Sequence, residues 1–350
     1  MSNKNDSATQ GRATRLRPGC RCIDTHTHVV PERFPAYVGK HLDARWPSMA
    51  AAQPCHQHVM LAGKVYRTVS NQCWDVSVRV ADIEQQAITR QVLSPMPELL
   101  SYWLDADDGR AMTRFLNESI ATMVTQAPDR FTGLGAVPLQ DVNAAITELE
   151  QAVTQFGLAG VEIGSNINGS VIGDPKFLPF FKAAEQLGAA IFVHALRPAG
   201  MDRLVGPPPL EQALAFPGEI GLAAASMLTG GTIAQCPKLR IAFSHGAGSL
   251  PILLTRLQHV ATKVPAVRDL MPVTPLELAR RMYYDDLLYD AGNIENIVRL
   301  FGETQVMVGT DYPFAIYDPD PLARVESLNL DERVRDLLRW GNAQRWLGLG

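Results

Sequence analysis

Cys22-Ile23-Asp24-Thr25-His26-Thr27-His28 is a short run that starts apolar and ends in two histidines. Three later runs close in a similar way: Ile191-Phe192-Val193-His194, Ile241-Ala242-Phe243-Ser244-His245 and Val306-Met307-Val308-Gly309-Thr310-Asp311. Eight such runs recur, over roughly 21–26, 91–96, 131–137, 160–165, 190–195, 240–245, 282–288 and 306–311. Most are Val, Ile, Leu, Phe or Ala with few charges, the composition of parallel strands buried on both faces. Helical periodicity fills the gaps. Residues 110–126 place Phe115, Ile120, Met123 and Val124 over much of one face, and 142–156 do the same with Ala145, Leu149, Ala152, Val153 and Phe156. Residues 293–301 and 331–347 read similarly. Strand alternating with helix eight times predicts an α/β protein, a closed (β/α)8 TIM barrel. Polar side chains at the C-terminal strand ends then form the catalytic mouth.

The first connection breaks the rhythm. Strand one ends near His28 and the next helix is expected near Arg79, a gap of about 50 residues, too long for a plain strand–helix loop. Within it Gly63-Lys64-Val65-Tyr66-Arg67-Thr68-Val69 alternates like a short hairpin strand. Residues 34–76 are therefore read as an insertion over the barrel mouth, a lid or substrate wall. Residues 196–218 are a second irregular piece, rich in proline, on the same face.

The chain has 350 residues, 46% hydrophobic and 19% charged, which suits a large barrel domain over 19–350. Residues 1–18 are polar and carry Lys4, Arg12, Arg15 and Arg17 with no apolar segment after them; they read as a loose tail, not a secretory signal. A net charge of −4 leaves no broad basic surface for nucleic acid or anionic lipid. No stretch reaches the ~20 apolar residues of a membrane span. Cys20, Cys22, Cys55, Cys73 and Cys236 form no disulfide framework, and no second pair follows Cys20-x-Cys22 to complete a zinc knuckle. The expectation is a cytoplasmic protein with reduced thiols.

His26 and His28 lie two apart on a strand, so both imidazoles point to one side. If that side is the barrel interior they share one metal ion, with His194 and Asp311 as the remaining donors. The plain alternative is unrelated polar residues at strand ends. It would win for an isolated His-x-His, and loses once His194, His245 and Asp311 end the correct strands. His245 is left as a free base beside the metal, suited to taking a proton from acidified water. Strand four, Gly160-Val161-Glu162-Ile163-Gly164, has no lysine to bridge two metals, and Glu162 sits early in it, so one ion is favoured. Arg67 and Arg256 are candidate carboxylate clamps; either could equally be a solvated surface arginine. Trp74 and Trp103 are candidates to line the pocket or simply to pack. His41, His56, His58 and His259 carry little weight.

These motifs, with Ser244-His245-Gly246 and Gly309-Thr310-Asp311-Tyr312-Pro313-Phe314, resemble the amidohydrolase superfamily. Gly63-Lys64-Val65-Tyr66-Arg67, Asn71-Gln72-Cys73-Trp74-Asp75, Ser101-Tyr102-Trp103, Phe131-Thr132-Gly133-Leu134-Gly135 and Met227-Leu228-Thr229-Gly230-Gly231 are similar to its decarboxylase branch, the aminocarboxymuconate-semialdehyde decarboxylase family. The likeness runs from about Cys22 to Leu349. It implies one divalent ion, zinc (Zn2+), on His26, His28, His194 and Asp311, with His245 as the catalytic histidine. It implies Arg67 on the substrate carboxylate, Trp74 and Phe314 at the substrate wall, and Arg256 contributed across the interface of a homodimer. Departures lie at that wall. Ala195-Leu196 stand where the family has proline and tryptophan, Leu61 and Val264 where it has a lysine and an arginine, and Gly246-Ala247-Gly248 where it has three glycines.

The reading is a metal-dependent, nonoxidative decarboxylase of an unsaturated or aromatic carboxylic acid. A metal-dependent hydrolase or hydratase of a lactone, amide or dicarboxylate is the alternative on the same barrel. A barrel retained as a scaffold or sensor is the non-enzymatic alternative; five polar residues at the mouth argue against it.

Overall fold

The computed structural model describes residues 20–39, 45–207 and 210–349. The tail expected over 1–18, and His41, lie outside them. In chain order the strands begin with β1 (Ile23–Val29), β2 (Ser48–Ala51), β3 (His56–Leu61), β4 (Lys64–Ser70), β5 (Arg90–Pro95) and β6 (Phe131–Gly135). They continue with β7 (Gly160–Gly164), β8 (Asn166–Ile167), β9 (Ser170–Val171), β10 (Ala190–His194), β11 (Arg240–Phe243), β12 (Tyr283–Asp285) and β13 (Val306–Met307). Eight of them form one parallel sheet in the order β1-β5-β6-β7-β10-β11-β12-β13. Thr25 N to Val308 O (2.9 Å), Asp311 N to His26 O (2.9 Å) and His28 N to Tyr312 O (2.7 Å) bring the chain after β13 back beside β1. The ring is thus the expected barrel, with helices between its strands.

Side-chain alternation sorts the strands into two surfaces. In β10, Ile191 and Val193 face the outer helices, whereas Ala190 and Phe192 join Val92, Leu134, Ala242 and Met307 inside the ring. Trp346, in the helix Asn342–Leu347, closes the floor of that inner cluster, its ring 6.0 Å from Phe192. Asp75, Asp141 and Asp290 accept backbone N–H groups at the starts of the helices Val76–Gln85, Val142–Thr154 and Ala291–Phe301, satisfying donors that a helix cannot pair internally.

β1 carries a register shift between Asp24 and Thr27 in its pairing with β5. Ile23 points into the inner cluster, and so do His26 and His28, although Ile23 and His26 are an odd number of residues apart. A one-residue bulge reconciles the two parities and aims the histidines inward.

Several boundaries differ from the sequence reading. β1 runs to Val29, one residue beyond the strand end expected near His28. The runs expected over 282–288 and 306–311 pair only over Tyr283–Asp285 and Val306–Met307. Beyond those points backbone and side chains turn toward the mouth, and Asp311 has φ 65°. The helix expected over 331–347 is divided into Glu332–Asp336, a π turn over Leu337–Gly341 and Asn342–Leu347. The insertion holds a three-stranded antiparallel sheet, β2-β3-β4, instead of a single hairpin strand, and its helix begins at Val76.

Candidate active site

The site rests on the layer above the apolar floor. The ring of Phe192 lies 5.0 Å from that of His26, and His194, two residues on from Phe192, faces the same interior. One donor atom from each of His26, His28, His194 and Asp311 falls within 4.8 Å of the others, and all four residues are buried. The Nε2 atoms of His26 and His28 are 3.1 Å apart, and Asp311 Oδ1 lies 3.5 Å and 3.0 Å from them.

Tautomers decide what this cluster can hold. His28 Nδ1 donates to the carbonyl of Pro95 (3.2 Å) and His194 Nδ1 to that of Ala195 (2.9 Å); a carbonyl only accepts, so each proton sits on Nδ1. His26 Nδ1 donates to Asp285 Oδ2 (2.7 Å). Three Nε2 lone pairs and a carboxylate therefore converge, and neither His194 Nε2 nor Asp311 Oδ1 has a hydrogen-bond partner. Acceptors facing one another in a dry site need a cation between them. The ring orientations are fixed by the outer hydrogen bonds, as metal-ligating histidines require.

The electrostatics agree. Burial, outweighed by His28 and the other two histidines, would raise the pKa of Asp311; the net effect holds its carboxyl well below the usual range. Burial lowers His28 to about 4 and lowers His194 strongly. His26 is pulled down by burial but raised further by Asp285, to about 9. The pocket thus favours positive charge beside Asp311 and Asp285.

His245 stands outside the ligand set, its ring centroid 5.2 Å from that of His194 and 5.3 Å from that of His26. Alternation from Ala242 would aim it outward. Its left-handed backbone, φ 54°, turns it to the mouth instead, strain of the kind that collects at functional positions. Gly248 follows with φ +52°, where an added Cβ would meet Pro217 O at 2.0 Å. His245 Nδ1 is buried without a partner. Burial, then neighbouring His26, lower its pKa below the ordinary 6.5, so the ring is neutral at neutral pH and able to accept a proton. A base works deprotonated: activity persists above that pKa and is lost as pH falls through it. In kcat/KM measured at saturating metal, the acid limb is expected below pH 6.5; a midpoint above that value contradicts this assignment.

Arg67, on β4, lines a pocket with His194, Asp311, Glu98, Gln212, Phe216 and Phe314. Its guanidinium lies 4.2 Å from the Phe314 ring centroid, and Phe314 stacks on His28 at 5.1 Å and 17°. Arg67, Phe314 and His28 thereby form one stack. His56, on β3, lines the outer cleft with Tyr66, Arg67 and Glu211. On its other side His245 faces an apolar recess formed by Pro217, Leu287, Leu288, Tyr289 and Ile316.

The remaining expected residues lie elsewhere. Arg256 is exposed on the helix Leu250–Lys263 and lines none of the clefts described here. Trp74 is half-buried and packs on the outer core, while Trp103 lies beneath Arg197, 3.5 Å from it, in a neighbouring cleft. Glu162 sits one layer below the ligands, accepting from Ser94 Oγ at 2.5 Å and 3.8 Å from His28 Nδ1; burial pushes its carboxyl up to about 8. All five cysteines are free.

Sequence reasoning missed Asp285. Besides holding His26, its Oδ1 accepts from the N–H groups of Gly246 (2.8 Å) and Leu287 (3.2 Å). The signal was present: the seventh run contains Tyr284-Asp285-Asp286, and its strand ends on the acid Asp285. It also missed Arg79, fully buried, which donates to the carbonyls of His28 and Gln72 and to Gln91 Oε1 and so fixes the end of β1. Among helical residues nothing in the local sequence distinguishes it.

A parallel barrel with three imidazoles and a carboxylate at its C-terminal mouth, and a separate histidine beside them, defines a metal-dependent barrel enzyme. The chain belongs to the amidohydrolase family, which it matches over residues 23–349. The 2-amino-3-carboxymuconate-6-semialdehyde decarboxylase of Dictyostelium discoideum is 35% identical to it over 331 residues, 93% of this chain and 91% of that protein. The gamma-resorcylate decarboxylase of Rhodococcus jostii (strain RHA1) is 26% identical over 256 residues, 68% of this chain and 77% of that protein. Among solved structures, 5-carboxyvanillate decarboxylase LigW from Sphingomonas paucimobilis shares the fold with a TM-score of 0.77 at 24% identity, over 94% of this chain and 99% of that one. A dihydroxybenzoic acid decarboxylase from Polaromonas sp. JS666, solved with manganese and 2-nitroresorcinol, has a TM-score of 0.69 at 21% identity, over 78% of this chain and 85% of that one.

Proposed function

We infer that this chain is a metal-dependent, nonoxidative decarboxylase, a carboxy-lyase acting on an unsaturated or aromatic carboxylic acid. The observation that carries the reading is Arg67 in the same pocket as His194 and Asp311. A carboxylate gripped by that guanidinium lies against the metal site, within reach of His245. The 35% identity with the Dictyostelium discoideum decarboxylase, along 93% of the chain, supports a substrate of the carboxylated muconate-semialdehyde kind.

His26, His28, His194 and Asp311 would hold one divalent ion; three imidazoles and a carboxylate suit zinc, although a relative was solved with manganese. Bound there, the ion acts as a Lewis acid that acidifies water and polarises a substrate oxygen. His245 takes a proton from water in the pocket, leaving hydroxide, and delivers it to the substrate carbon that bears the carboxylate. The C–C bond then breaks, its electron pair restores the conjugated system, and carbon dioxide leaves. Arg67 orients the carboxylate, and Phe314 and Phe216 keep water from the reacting carbon. Among the described residues no helix is long and apolar enough to cross a membrane. All five cysteines are free, which supports a cytoplasmic assignment.

The test is carbon dioxide release by the pure, metal-loaded protein from a panel of carboxylated muconate semialdehydes and hydroxybenzoates. Release from at least one is expected. Release from none, with lactone opening instead, points to the hydrolase.

The active species proposed is a homodimer in which Arg256 serves the partner's site. Its exposed position on the helix after His245 supports this. Two fixed guanidinium groups orient a carboxylate better than one. The check mixes an Arg256→Ala chain with a His245→Ala chain. If Arg256 crosses, each mixed dimer has one site with both residues, and two nearly inactive proteins recover partial activity on mixing. No recovery contradicts the crossing.

A further inference from the structure

Glu98 lies in the run Met96-Pro97-Glu98-Leu99-Leu100, directly after β5. Met96, Leu99 and Leu100 are completely buried and Pro97 is buried too, so Glu98 is the one polar side chain of this turn. A carboxylate among those neighbours has no favourable place in the core; it faces the pocket that also exposes Arg67, His194, Asp311 and Phe314. The turn that presents it is fixed. Leu99 N donates to Met96 O (2.8 Å), Leu104 N to Ser101 O (3.0 Å), and Ser101 caps the turn in the left-handed conformation.

We propose that Glu98 is the specificity-determining acceptor of this pocket, selecting acids that carry a hydroxyl or amino donor in addition to the carboxylate held by Arg67. Apart from Asp311, which belongs to the ligand set, Glu98 is the only carboxylate among the residues lining the pocket. Burial pushes the Glu98 carboxyl up from its ordinary value, and the neighbouring Tyr66 hydroxyl and Arg67 charge oppose that shift. One phenol supplies one hydrogen, and a carboxylate with two oxygens retains capacity for a further donor. Apart from the neutral amide of Gln212, the other walls are Phe314, Phe216, Pro97, Ala195 and Ile316, which offer an unsaturated or aromatic skeleton contact without polarity. An acid with no donor leaves Glu98 partly unpaired against that skeleton, and a site built for a donor rejects such an analogue.

The inference rests on the decarboxylase reading only for what happens after binding, so it is tested by binding. Calorimetry of the metal-loaded full chain compares benzoate with 2-aminobenzoate and the three hydroxybenzoate isomers. Wild type is expected to hold at least one donor-bearing acid on the order of 10–100-fold tighter than benzoate, the range for a hydrogen bond to a charged group. Glu98→Leu is expected to reduce that preference to within about threefold, with benzoate held as tightly as by wild type or more tightly, because no unpaired carboxylate then faces its ring. Glu98→Gln, which keeps an acceptor oxygen, retains part of the preference. Three results overturn the proposal: no preference in wild type, a preference that survives Glu98→Leu, or an equal loss for benzoate, which would mark Glu98 as a support for Tyr66 and Arg67 alone. Carbon dioxide release by the same wild-type samples is read separately, so a failure of the decarboxylase reading and a failure of this one are distinguishable.

Discussion

Replacing His245 by alanine is expected to leave the metal in place and to lower turnover by on the order of 10²–10⁴-fold, the contribution of a positioned acid/base. The metal stays because the four-residue ligand set does not include His245, whose Nδ1 has no partner. Turnover falls because the other histidines of the cluster are committed: His26, His28 and His194 turn Nδ1 to Asp285, Pro95 and Ala195 and Nε2 to the centre. The acid limb of the pH profile should vanish with the ring. Metal content by elemental analysis and kcat on one sample separate the outcomes. Loss of the metal in His245→Ala would make this residue a ligand and the assignment wrong.

Asp285→Ala is expected to weaken metal affinity by about 10–100-fold, as removal of a carboxylate behind a ligating histidine does. Its Oδ2 orients His26, and its Oδ1 ties down the N–H groups of Gly246 and Leu287. One residue therefore links His26 to the segment that carries His245. Restoring full occupancy with excess metal should leave part of the activity loss, because the backbone beside His245 loses its anchor. Burial and the His26 hydrogen bond act oppositely on Asp285, and the latter wins, keeping its carboxyl ionised below its ordinary range. A competition titration giving wild-type affinity in Asp285→Ala would contradict the orienting role.

The barrel was legible because its signal is periodic and repeated. Each buried strand is an apolar run, and the polar residue that ends it stands out against that background. His26, His28, His194 and Asp311 were therefore visible as a set, and the structure brings their donor atoms within 4.8 Å. What was not legible depends on local departures from the period. The bulge between Asp24 and Thr27 makes Ile23 and His26 share a face, and the left-handed backbone of His245 reverses its parity; neither follows from residue types. Asp285 stands out less because it acts behind His26, and Asp286, Leu287 and Leu288 follow it in the same run. Arg256 remains a surface residue in a single chain, because a role across an interface leaves no mark on one chain's own packing.

The most direct measurement of the central claim is a single-turnover reaction in D2O without oxygen, following both products. Nonoxidative decarboxylation predicts one carbon dioxide per substrate and one deuterium on the carbon that lost it, with no oxygen atom gained. A product that keeps its carboxylate and takes up an oxygen atom from labelled water would contradict the account and identify a hydrolase.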